Sequence, residues 1–189
     1  MEPPACFITG HRPARFKFKY NEDRPLCGKI KRALTDQIKA RYESGVRQFW
    51  VGGAMGVDTW AGEIILDLKA QEAYKDMELF VAIPFPAHGE DFDPKQKRRY
   101  RRILKECTDS AVVCPAFRPD AYKLRDYFMV DQCSCGIAVY DNDRSIRSGT
   151  GMTINYAVKK KKMPVSFIHP DTAAMNESPA TGAQRNKTV

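Results

Sequence analysis

No apolar run in this 189-residue chain approaches the roughly 20 residues that a membrane-spanning helix requires. The opening MEPPACFITG lacks the charged and apolar regions of a signal peptide, so the expectation is a cytoplasmic protein with no membrane partner. No Cys-x-x-Cys pair occurs among Cys6, Cys27, Cys107, Cys114, Cys133 and Cys135. Cys133 and Cys135 are separated by one residue, and no histidine lies near enough in sequence to complete a zinc set. The thiols are therefore read as free and mostly buried, and no metal ligands are assigned. The two common phosphate-loop fingerprints, GxGxxG and GxxxxGK[ST], are also missing.

What remains is a basic, core-forming chain. A hydrophobic content of 43% suits one domain, assigned to residues 1–170, and the polar, aperiodic stretch 171–189 reads as a disordered tail. A formal charge of +8 points to acidic partners, either nucleic acid or small phosphorylated ligands.

Gln48 to Leu68 is the organising stretch. Phe49, Trp50 and Val51 form a short strand, Gly52, Gly53 and Gly56 a turn, and Val57, Trp60, Ala61, Ile64, Ile65 and Leu68 one apolar helix stripe. A glycine turn before a helix exposes backbone amides at its positive end, which is a way to hold a phosphate. Strand and helix alternate along the rest of the chain. Strands are expected at Ala5–Thr9, Leu79–Ile83, Ala111–Cys114, Ile137–Tyr140 and Val165–Ile168. Helices are expected at Leu26–Tyr42, from Pro94 with Asp93 as its cap, and at Ala121–Gln132 and Gly151–Lys162. This alternation implies an α/β, Rossmann-like three-layer fold with a mostly parallel sheet of about six strands.

Ligands of such sheets bind beyond the carboxyl ends of the strands, where strand order reverses. That rule selects the loops Thr9–Arg15, Gly52–Asp58, Pro84–Gly89 and Asp141–Thr150, and in the first two the candidate site residues are Thr9, Gly10, His11, Arg12, Gly52, Gly53, Ala54, Gly56 and Asp58. Ser148, Gly149, Thr150 and Gly151 form a second glycine-rich helix start after the fifth strand, and Arg125 on the preceding helix adds a cation. The run Lys95–Lys105 carries seven cations and no acid, and Lys159–Lys162 adds four more. Tyr100, Ile103, Leu104 and Cys107 give the first run a buried stripe, so it reads as an ordinary helix with one solvated face.

These residues carry a resemblance. T-G-H-R-P at Thr9–Pro13, G-G-A-M-G-V-D-T-W-A-G-E at Gly52–Glu63, R-D-Y-F-M-V-D at Arg125–Asp131 and S-G-T-G-M-T-I-N-Y-A at Ser148–Ala157 resemble the YpsA-like family. That family belongs to the SLOG superfamily, with DprA/Smf and the LOG phosphoribohydrolases. The resemblance implies a Rossmann-like fold that binds a nucleotide. In the LOG pattern an arginine, matched by Arg125, precedes PGGxGTxxE, whose glutamate is the acid/base group. Thr153 stands at that glutamate's position, and a hydroxyl cannot replace a carboxylate in moving the proton. The DprA side of the resemblance implies single-stranded DNA.

The leading expectation is thus a protein that binds or senses a nucleotide or a derivative such as ADP-ribose, NAD or a mononucleotide, with no further cofactor assigned. The alternatives are a LOG-type hydrolase of the N-glycosidic bond and a single-stranded nucleic-acid binder. Whether the chain is an enzyme, and whether it forms a homo-oligomer, the sequence leaves open.

Overall fold

Alternation along the first strand sets the layering of the molecule, whose computed structural model describes residues 4–143 and 147–177. In β1 (Ala5–Gly10), Cys6 and Ile8 enter one hydrophobic core while Ala5 and Phe7 enter another on the opposite face of the sheet. A strand buried on both faces needs neighbours on both sides. β1 has them, pairing in parallel with β2 (Gln48–Val51) and β5 (Cys135–Val139). Outward from β2 lie β3 (Glu78–Ile83) and β4 (Asp109–Val112), and outward from β5 lie β6 (Val165–Ile168) and β7 (Met175–Glu177). The order is β4-β3-β2-β1-β5-β6-β7, parallel except for the antiparallel β7. The chain walks one way from β1 to β4 and then returns to the far side of β1. Strand order therefore reverses between β1 and β5.

The helices cover both faces. α1 (Pro25–Glu43) buries Cys27, Ile30, Leu34 and Ile38, spaced by three and four, against the face that also receives α2 (Val57–Lys69) and Ile103 of α3 (Pro94–Glu106). Ile30, Leu34 and Ile38 are each fully buried and contribute about 1.5–3 kcal/mol apiece. α4 (Ala121–Asp131) and α5 (Gly149–Asn155) cover the opposite face through Met129, Val130 and Ile154. Asp93 caps α3 as expected, accepting from the amides of Lys95 and Gln96 at 2.9 and 3.1 Å.

Several expected boundaries move; β5, for one, spans Cys135–Val139 instead of Ile137–Tyr140. β4 begins at Asp109 instead of Ala111, because an edge strand needs only backbone pairing and tolerates the exposed Asp109 and Ser110. The fifth helix starts at Gly149 and gives way to a wider π-helical turn over Tyr156–Lys160. The stretch after residue 171 is not wholly without structure, since Met175–Glu177 adds to the edge of the sheet as β7. Residues 178–189 lie outside the described residues.

Candidate functional site

At the reversal, β1 runs into Thr9, Gly10, His11 and Arg12, followed by a short 3-10 turn at Pro13–Arg15. Gly10 is dictated by packing, since a Cβ there would lie 2.5 Å from Val57 Cγ2 at the start of α2. His11 is buried, and its ring packs edge-on against Phe16 and Tyr140. Its Nε2 lies 3.6 Å from Asp141 and has no closer hydrogen-bond partner among the described residues. Burial lowers its pKa, with Asp141 opposing, so the ring is neutral near pH 7.

The glycine turn after β2 differs from the expectation of bare amides awaiting a phosphate. Asp58 already occupies them: its Oδ2 accepts from Gly52 N at 3.1 Å and from Ala54 N at 3.2 Å. Thr59 donates to the Ala54 carbonyl, and Arg125 reaches across from α4 to donate to the Gly52 carbonyl. A Cβ on Gly52 would lie 2.5 Å from Arg125 Nη1 and 2.8 Å from Asp58 Oδ2, so this glycine makes room for side chains of the protein itself. Gly53 and Gly56 hold positive φ of 68° and 92°. Their missing side chains would meet Tyr100 and the His11 carbonyl, respectively. His88, buried in a ring of aromatic side chains, lies 3.2 Å from the Gly53 carbonyl through Nε2. Burial drives the His88 pKa to about 4, so it braces the turn as a neutral ring.

Arg125 is 4% exposed. Besides the Gly52 carbonyl it bonds Asp126 through Nε at 2.7 Å, and Asp126 accepts in turn from Thr153 Oγ1 at 2.9 Å. Thr153 also donates to the Gly149 carbonyl. The residue standing where the hydrolase pattern has a glutamate is thus fully buried and tied to a neighbouring carboxylate. Asp58 is pushed up to about 6 by burial, with Arg125 and the Ala54 amide opposing.

These loops close around a pocket of about 260 Å³. Thr9, Gly10, His11 and Arg12 line it from β1, Ala54 and Asp58 from the second loop, Arg125 from α4, and Ser148, Gly149 and Thr150 from the start of α5. Four expected site residues do not line it. Gly52, Gly53 and Gly56 pack against other parts of the protein, and Gly151 donates its amide to the Ser148 side chain beside Tyr140. Arg15 and Arg147, which also line the pocket, fall in loops that the edge rule selects, whereas Tyr122 and Asp126 were not among the expected site residues. Tyr122 lies three residues before Arg125 and four before Asp126, a spacing that puts it beside both on α4. Arg12 is exposed, with its guanidinium 5.2 Å from the centre of the Tyr122 ring.

Two of the seven cations of α3 form ion pairs with acids among the described residues. Arg99 forms ion pairs with Glu63 at 2.6 Å and Glu22 at 2.7 Å, and Arg102 pairs with Asp67 and Glu106. Among the described residues no group of three or more His, Cys, Asp or Glu side chains is placed to hold a metal ion, and all six cysteines are free thiols. No described helix is long and apolar enough to cross a membrane.

Comparison with known proteins agrees with this architecture. The UPF0398 proteins of Bacillus cereus (strain G9842) and Bacillus thuringiensis (strain Al Hakam) are each 28% identical to it over 156 residues, 82% of either chain. Among solved structures, DNA processing protein A (DprA) of Streptococcus pneumoniae superposes with a TM-score of 0.55 at 15% identity, over 86% of this chain and 49% of that one. DprA of Helicobacter pylori, described with a single-stranded DNA binding mode, gives 0.54 at 14%, over 86% and 64%. The chain spans about half to under two thirds of these DprA proteins, and the likeness establishes a shared Rossmann-like fold. A family model, YpsA, matches residues 6–173, nearly the whole described structure. The chain belongs to the family that this model describes, the YspA SLOG family.

Proposed function

We propose that this protein binds a nucleotide or nucleotide derivative in the pocket at the carboxyl edge of its sheet. The observation that carries this reading is a pocket at the reversal of strand order lined by the exposed Arg12, Arg15 and Arg147 together with the aromatic Tyr122. None of these three arginines forms an ion pair with a described residue. Exposed guanidinium groups without acids are suited to phosphate, and an aromatic ring beside them is suited to a base. Arg99 and Arg102 of α3 already have carboxylate partners, which lowers the charge that this helix offers to a nucleic-acid strand.

A second reading, hydrolysis of the N-glycosidic bond, draws on Asp126, a carboxylate lining the pocket and held by Thr153 where the hydrolase pattern has its glutamate. Both oxygens of Asp126 are engaged, by Arg125 and by Thr153, so binding without rapid turnover is the reading adopted. A thermal-shift panel of mononucleotides, NAD, ADP-ribose and cyclic dinucleotides tests it. A true ligand at a hundred times its Kd adds about 2.7 kcal/mol to apparent stability, and a flat response across the panel removes the proposal. Chromatography for released base separates the two readings: sustained turnover abolished by Asp126→Asn favours the hydrolase.

A further inference from the structure

The polarity of the pocket says which end of a nucleotide goes where. Its floor carries two carboxylates, Asp58 and Asp126, against one buried cation, Arg125. The amides that would otherwise welcome a phosphate, those of Gly52 and Ala54, both donate to Asp58 Oδ2. A phosphate pressed into this floor would meet a surplus of negative charge and no free amide from those two residues, so the floor repels it. The same floor suits a neutral group with hydroxyl donors. Both backbone bonds fall on Oδ2 of Asp58, which leaves Oδ1 as the oxygen to receive a hydrogen bond from a ligand. His11, which also lines the pocket, is 2% exposed, and its Nε2 faces Asp141 Oδ1 at 3.6 Å. The buried hydroxyls of Thr9 and Thr150 also line the pocket. The favourable place for a phosphate is instead at Arg12, Arg15 and Arg147, which are exposed and lack acid partners among the described residues.

We infer that the pocket takes a ribonucleoside 5′-phosphate with its 2′,3′-diol directed at Asp58 and its phosphate at the outer arginines, and therefore selects ribose over deoxyribose. This rests on the nucleotide reading above and adds an orientation and a sugar requirement to it. Asp58 acts as the acceptor that reads the sugar. A carboxylate aimed at a diol makes charge-assisted hydrogen bonds that a dideoxy sugar cannot make, so Oδ1 then lacks the donor that the diol supplies.

Calorimetric titration of the intact protein with ADP, GDP, CDP and UDP, each beside its 2′,3′-dideoxy form, tests the inference. The best-bound ribonucleotide is expected to exceed its dideoxy form by about tenfold or more, as one or two charge-assisted bonds require. In Asp58→Asn that ratio should fall to about threefold or less; urea unfolding checks that the variant is folded. The comparison in the parent protein stands even if the variant fails to fold. Equal affinity of the two forms in the parent protein overturns the sugar requirement and leaves nucleotide binding intact. No binding of any of the eight compounds overturns the nucleotide reading and the inference together.

Discussion

Replacing Asp58 by asparagine should make the protein more stable at neutral pH, and the gain should depend on pH. The Asp58 carboxyl is 7% exposed, and burial raises its pKa from the usual 3.8 to about 6 in spite of Arg125. A carboxyl whose folded pKa lies above its unfolded value holds its proton more tightly when folded. Its contribution to stability is fully present below about pH 4 and is lost as pH rises through about 6. Asparagine mimics the protonated form, and its side-chain oxygen can still accept from Gly52 N and Ala54 N. Between about pH 4.5 and pH 7.5 the parent protein therefore loses stability relative to the variant over about 1.5 pH units, at about 1.36 kcal/mol per unit, or about 2 kcal/mol. The groups facing Asp58 are Arg125 and Asp126 from α4 and Arg12 from the loop after β1. Urea unfolding of both proteins at the two pH values gives the difference directly. An offset that is the same at both would show that Asp58 ionises normally and that its burial costs nothing.

Gly53→Val should destabilise the fold by about 2–4 kcal/mol in urea, because the position has φ of 68° and a Cβ would lie 2.9 Å from Tyr100 Cε2; unchanged stability would contradict the turn geometry. Glu22→Gln should cost about 2–3 kcal/mol at pH 7. Burial pushes the Glu22 carboxyl up, but bonds from Arg99 and Lys31 outweigh it and hold the pKa at about 2. That stability is present above about pH 4.5 and lost as pH falls toward 2, so acid unfolding should distinguish parent and variant progressively less below about pH 4. Arg15→Ala and Arg147→Ala should each weaken nucleotide binding by about tenfold, seen by calorimetry, with unfolding midpoints unchanged; full affinity in both variants would move the phosphate elsewhere.

Much of the scaffold was legible because its signals are local. The three-and-four spacing of Ile30, Leu34 and Ile38, the Asp93-Pro94 helix start and the run from Val165 to Ile168 each carry their own explanation. β4 was displaced because Asp109 and Ser110 look unlike a strand and qualify only as an exposed edge. Met175–Glu177 was missed because three residues paired through their backbone leave no periodicity to detect.

Legibility of the site followed the same division. The carboxyl-edge rule brought Thr9, His11, Arg12, Asp58, Arg125 and Ser148 to one pocket. What it could not reveal was that Asp58 folds back onto the glycine turn, since Gly52-Gly53-Ala54 reads identically with its amides free or filled. Nor could a count of cations in α3 show that Arg99 is matched by Glu22, 77 residues away in sequence. Tyr122 and Asp126 were within reach, lying three before and one after Arg125 on the same helix.

The central claim is that a nucleotide binds in the pocket between β1 and β5, and amide chemical shifts of the isotope-labelled protein test it most directly. On titration with the nucleotide that gives the largest thermal shift, the account predicts saturable changes at Thr9–Arg15, Ala54–Asp58 and Arg147–Gly151. Saturable changes confined to another surface, such as the stacked Tyr127 and Tyr156 beside Lys159, would contradict it.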